Sequence, residues 1–123
     1  EGIKQGDGTL YDEDGKRIYK GGFDDETYHG KNCTVFYGNG KVCYSGNFKK
    51  GEKTGFAKEW YVNGKMKFEG NYVNDMKHGL GKEFHESGPL RYEGLFKYGY
   101  PSGKMVKTFS DDGCLNFYGE VQN

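Results

Sequence analysis

The residues best equipped for chemistry in this chain are His29, His78 and His85, the cysteines Cys33, Cys43 and Cys114, and the acidic run Asp12-Glu13-Asp14. A nucleophilic thiol needs a histidine held beside it, and acid–base work needs titratable groups that converge. His29 and His78 each stand directly before a glycine, in the same slot of a repeat described below, which accounts for them without catalysis. Cys33 and Cys43 are expected on the two strands of one hairpin, with Cys43 turned toward Phe36 and away from Cys33. No cysteine pair has zinc or redox spacing, and an odd count leaves at least one thiol free. Free thiols read as a reducing, cytoplasmic setting. Asp12-Glu13-Asp14-Gly15 looks like the start of a calcium loop but lacks the later glutamate, so it reads as a turn. No Gly-Lys-Ser/Thr phosphate loop occurs. The expectation is a chain that is not an enzyme, with no cofactor, metal or small-molecule substrate.

Binding chemistry has better material. Lys49, Lys50 and Lys53 cluster, and Lys77 falls in nearly the same slot one repeat later. Side by side on one edge they make a candidate patch for an anionic, phosphoinositide-bearing membrane. The competing reading is a solvated edge that keeps a sheet soluble. Net charge is zero, but residues 1–30 carry −4, residues 31–80 carry +5 and residues 81–123 carry −1. That local excess is too small to point to nucleic acid. No apolar run approaches the length of a membrane span, and no signal peptide is visible.

The elements that position these residues follow from glycine and aromatic spacing. With 17% aromatic residues and 22 glycines among 123, the chain reads as aromatic-cored and glycine-punctuated rather than disordered. Turn glycines recur at Gly15, Gly40, Gly64, Gly88 and Gly113, in steps of 25, 24, 24 and 25. Four residues after each stands Tyr19, Tyr44, Phe68, Tyr92 or Phe117. Two further on is Gly21, Gly46, Gly70, Gly94 or Gly119, and two beyond that Phe23, Phe48, Tyr72, Phe96 or Val121. Four residues before each turn glycine stands Tyr11, Phe36, Trp60, Phe84 or Phe109.

Alternation puts aromatic, glycine and aromatic on one strand face, and the Asn-Gly or Asp-Gly step folds the chain into a hairpin. The reading is an array over residues 6–123, with hairpin units of about 6–30, 31–54, 55–78, 79–102 and 103–123. All three aromatic columns are expected on one face, with Trp60 among the more buried residues. Pro89 removes a backbone donor, so the fourth turn is expected to differ. A lone hairpin is barely stable, so stability must come from stacking copies.

Seven aromatics lie outside the ladder: Tyr28, Tyr37, Phe56, Tyr61, Tyr98, Tyr100 and Tyr118. They are the better candidates for partner contact. Within them, Tyr37, Tyr61, Tyr98, Tyr100 and Tyr118, together with Phe117 in the last repeat, form the candidate protein-binding set. The last repeat carries Val121 in an aromatic column and lacks a connector, which makes that end a candidate for association.

The stretch Phe68-Glu69-Gly70-Asn71-Tyr72, followed by Lys77-His78-Gly79-Leu80-Gly81-Lys82 and Phe84, resembles the MORN repeat (membrane occupation and recognition nexus). The resemblance spans residues 6–121 with a step slightly longer than usual, and the first repeat departs with Asp24-Asp25-Glu26 in its connector. It implies an all-β fold, a single elongated antiparallel sheet of about ten strands. It also implies a non-catalytic module for protein binding or scaffold assembly, associated with cytoskeleton or membrane. Alternatives it leaves open are membrane docking and the regulatory part of a larger enzyme such as a phosphatidylinositol phosphate kinase.

Overall fold

The structure is a computed structural model that describes residues 5–109 and 115–121, with side chains over 5–102. Its strands are β1 (Gln5–Tyr11), β2 (Arg17–Asp24), the two-residue β3 (Thr27–Tyr28), β4 (Gly30–Phe36), β5 (Val42–Lys49) and β6 (Glu52–Trp60). They continue with β7 (Met66–Val73), β8 (Met76–Phe84), β9 (Leu90–Lys97), β10 (Tyr100–Phe109) and β11 (Leu115–Val121). Ten of them follow one another in chain order across a single open antiparallel sheet, and β3 pairs with β2 alone. The expected all-β array of about ten strands is therefore what the chain forms.

Two kinds of turn alternate along it. In the Asn-Gly type, the Tyr61 N–H donates to Lys65 C=O at 2.8 Å and the Gly64 N–H to Tyr61 C=O at 2.9 Å. Gly64 sits at φ +92°, a backbone state open to glycine. Asn63 Oδ1 accepts the Lys65 N–H at 2.9 Å, as Asn39 does for Lys41 and Asp12 for Lys16. The acidic Asp12 run is thus a turn, as expected. The fourth turn keeps the same two backbone bonds, His85 N–H to Pro89 C=O at 2.8 Å and Gly88 N–H to His85 C=O at 2.9 Å, but Gly88 sits at φ +125°, where Gly15, Gly40 and Gly64 lie between +82° and +92°. The donor that Pro89 lacks is the one that only a side chain accepts in the other copies, so the two bonds survive while the turn's geometry shifts.

The second kind occupies the connectors, which are tight turns rather than loops. Both central residues take positive φ: Asp25 and Glu26, Lys50 and Gly51, Asn74 and Asp75, Tyr98 and Gly99. This mirror-image geometry matches strand twist, so each hairpin runs straight into the next. The turns also stack. Gly51 N–H donates to Tyr28 C=O, Asp75 N–H to Lys53 C=O and Gly99 N–H to Lys77 C=O, at 2.8, 3.0 and 3.1 Å.

The core is a single zigzag of rings on one face. Each early-column ring meets the later ring of its own repeat: Tyr19–Phe23, Tyr44–Phe48, Phe68–Tyr72 and Tyr92–Phe96, with centroids 5.0–5.5 Å apart. It also meets the later ring of the next repeat: Tyr19–Phe48, Tyr44–Tyr72 and Phe68–Phe96, at 5.5–6.3 Å. Edge-to-face contacts of this kind contribute about 0.5–1.5 kcal/mol each beyond area burial. All eight rings are buried. Gly70 makes room for its own strand's ring: a Cβ there would lie 2.8 Å from Phe68 Cζ and 2.9 Å from the Gly81 backbone.

The third aromatic column does not join them. In each hairpin Leu10, Val35, Glu59 or Glu83 is the direct partner of the buried ring, and Tyr11, Phe36, Trp60 or Phe84 comes one residue later. A register shift follows each partner, so this column takes the opposite face. Trp60 is accordingly half-buried rather than core.

Candidate functional site

On the ring-bearing face, Lys53 and Lys77 hold equivalent places, opposite Phe48 and Tyr72. Lys53 Nζ binds Glu59 Oε2 at 2.7 Å and lies 5.1 and 5.2 Å over the Tyr44 and Tyr72 rings. Lys77 Nζ binds Glu83 Oε2 at 2.5 Å and lies 4.5 Å over Phe68. Glu59, only 8% exposed, also accepts the Tyr72 hydroxyl at 2.7 Å. Burial and that neighbouring carboxylate raise the Tyr72 phenol far above its ordinary value. In the first repeat the lysine slot, opposite Phe23, holds Tyr28, which stacks on Tyr19 with centroids 3.7 Å apart. Val35 takes the glutamate's place opposite Tyr44. One slot pair is thus filled either by two apolar side chains or by an ion pair under aromatic faces.

The outer face is built differently. A row of directly opposed residues crosses it: Lys58 on β6, Glu69 on β7, Lys82 on β8 and Glu93 on β9. Beside the row stand Phe56, 53% exposed, Leu80, 70% exposed, and Leu95. Phe56, Leu80, Glu69, Lys82 and Glu93 rim a shallow depression of about 300 Å³, with Gly70, Gly81 and Gly94 along its floor. The glycines that make space for rings on one side leave the backbone bare on the other. Leu80 and the charge row were not singled out from the sequence. Their signal is a lysine six residues before a turn glycine together with a glutamate five after it, in repeats three and four, with the lysine alone recurring as Lys107 in repeat five.

The MORN repeat matches this chain over residues 44–66, 68–88 and 92–114, more than half of its length. The chain belongs to the MORN-repeat family. No curated protein matches it significantly. MORN repeats are binding modules for proteins and membranes, and the remaining candidates take their places within such an array.

Tyr37 and Tyr61 serve the array itself. Their hydroxyls donate to Trp60 C=O and Phe84 C=O of the following repeat, both at 2.6 Å. Burial first, then Cys43 beside it, pushes the Tyr37 phenol up to about 12. Tyr98 and Tyr100 are 66% and 69% exposed and free of such duty. Phe117, Tyr118 and Cys114 lie outside the residues with described side chains. Lys49 and Lys50 are exposed at a tight turn, whereas Lys53 and Lys77 are committed inward. The four lysines therefore do not line up as one free patch. His29 Nδ1 accepts the Lys50 N–H at 3.0 Å, holding the turn. Cys33 is buried, Cys43 partly so, and neither is bonded to the other. Among the described residues no group of three His, Cys, Asp or Glu converges as a metal site.

Proposed function

We propose that this MORN array is a non-catalytic protein-binding module that uses its outer face. The observation that carries this reading is the cluster Phe56, Leu80 and Leu95, exposed beside a shallow groove on the outer face. Large apolar side chains grouped on an otherwise charged surface mark an interaction site. The stacked repeats supply rigidity, so a partner meets a surface that needs little ordering. Exposed Tyr98 and Tyr100 extend the set of contact residues.

Affinity capture with the wild-type chain and with a Leu80→Asp, Leu95→Asp variant tests it. A protein retained by the wild type and lost on the variant, with unchanged strand circular dichroism, supports the outer face. Equal retention on both assigns binding elsewhere.

A further inference from the structure

We propose that Asn39 and Asn63 are modification sites, at which hydrolysis of the side-chain amide releases one repeat's turn from the next. Asn39-Gly40 and Asn63-Gly64 are the two Asn-Gly steps of the chain, and both lie at exposed turns of the second and third hairpins. Each amide is used at both ends. Oδ1 of Asn39 and of Asn63 accepts the N–H of Lys41 or Lys65 in its own turn, both at 2.9 Å. Nδ2 donates to Val62 C=O or Glu86 C=O in the turn of the following repeat, at 3.1 and 3.0 Å. An amide does both jobs because it carries an acceptor and a donor, whereas a carboxylate carries acceptors alone.

The residue after each asparagine makes the chemistry possible. Glycine has no side chain to shield its backbone nitrogen, so Gly64 N can attack Asn63 Cγ and close a cyclic imide. A C–N bond forms, the Gly64 N–H proton passes to the departing Nδ2, and ammonia leaves. Water then opens one of the two imide bonds, giving aspartate or its β-linked isomer. Amide and water become acid and ammonia, and no oxidant or reductant is needed. The same steps apply to Gly40 N and Asn39 Cγ. Asparagine is depleted from proteins that work at high temperature because its amide is thermally labile.

The closed turn holds this reaction back. Gly64 N–H already donates to Tyr61 C=O at 2.9 Å, and Gly40 N–H to Tyr37 C=O at the same distance. Swinging Cγ onto that nitrogen also breaks the bonds of Oδ1 and Nδ2, so attack waits for the turn edge to open. Once formed, aspartate keeps the Oδ1 bond but sets a carboxylate oxygen against Val62 or Glu86 C=O, acceptor against acceptor. The β-linked isomer also adds a backbone atom to a turn whose two bonds fit one length. The first and fourth turns are exempt. Their slot holds Asp14, where Asp12 Oδ1 takes the Lys16 N–H instead, and Ser87. The second and third repeats are thus joined to their successors by bonds that age, and opening of that edge sets the rate.

Incubating the full chain in mildly alkaline buffer, folded and in urea above its denaturation midpoint, tests this by peptide mapping with mass spectrometry. Conversion is expected at Asn39 and Asn63, ahead of Asn32, Asn47, Asn71 and Asn74, and at least about ten-fold slower in the folded chain than in urea. Acidic forms made in urea are then separated by ion exchange and returned to native buffer. They should unfold at lower urea than the unmodified fraction taken through the same steps, or fail to refold where that fraction succeeds. Equal rates in the folded and unfolded chain would overturn control by the turn edge. Conversion led by any other asparagine would overturn the assignment of the sites. Acidic forms as stable as the unmodified fraction would overturn the release of one turn from the next.

Discussion

The two faces of one residue pair, Glu59 and Trp60, show how finely burial is set here. Glu59 lies among the rings and Trp60, its chain neighbour, does not. Phe68, fully buried and in contact with Tyr72 and Phe96, should therefore matter more than the larger Trp60. Phe68→Ala is expected to cost about 3–5 kcal/mol and Trp60→Ala clearly less, read from urea denaturation midpoints. The reverse order would mean that the face assignment is wrong. The Lys53–Glu59 pair makes a second expectation. Lys53→Met leaves the nearly buried Glu59 carboxylate without its cation and should destabilise by about 1–3 kcal/mol, less than a fully buried pair because Lys53 keeps solvent contact. Converting both, Lys53→Tyr with Glu59→Val, copies the pairing of Tyr28 with Val35. A double-mutant cycle should show at least about 1 kcal/mol of favourable coupling. Additive single effects would end the idea that the slot pair works as a unit.

At the scale of elements, the two-residue connectors carry strain that glycine would relieve. Asp25 and Glu26 hold φ of +53° and +66° without glycine, where the second repeat has Lys50-Gly51. Left-handed backbone costs an ordinary residue about 1–2 kcal/mol, so Glu26→Gly should stabilise the array by about 0.5–1 kcal/mol after its own entropy cost. A fall in thermal midpoint would show that the Glu26 side chain contributes something the backbone geometry does not reveal. On the opposite edge, turn-to-turn bonds recur one repeat apart. Asn39 Nδ2 donates to Val62 C=O and Asn63 Nδ2 to Glu86 C=O, while Tyr37 and Tyr61 reach the next strand end. Tyr61→Phe removes one such bond and should cost about 1 kcal/mol.

The whole molecule stacks phenols as well as rings, and that gives it an alkaline limit. Burial, the largest cause in each case, holds Tyr19, Tyr44 and Tyr72 well above the ordinary phenol value of 10.0, and Tyr37 is pushed up to about 12. A folded state that keeps its protons more tightly is stabilised fully below the unfolded value. That stability is lost as pH rises through the folded values. The array should thus be insensitive to this effect below about pH 9 and unfold cooperatively above about pH 10. Tyrosinate absorbance and loss of the strand signal should rise together. Titration of every phenol near 10 with the sheet intact would contradict the burial pattern. Because neighbours touch only neighbours, the ten-strand sheet should behave as a chain of coupled repeats.

Glycine and aromatic spacing alone determined the repeat, the hairpins, the all-β sheet and the eight core rings, because period-two alternation and Asn-Gly turn chemistry are local. The acidic Asp12 turn was legible for the same reason. What only the tertiary structure decided begins with the register shift nearest the turn of each of these hairpins, which moves Tyr11, Phe36, Trp60 and Phe84 to the outer face. A shift of one residue is invisible to spacing yet reverses a side chain's direction. Stacking decided the rest. Lys53 and Lys77 look like surface charges in sequence, but the next hairpin's glutamate and rings draw them in. Tyr37 and Tyr61 look like free contact residues until the following repeat supplies their acceptors. Lys58, Glu69, Lys82 and Glu93 become a row only when four strands lie side by side, since residues 11 to 13 positions apart are neighbours in the sheet and not along the chain.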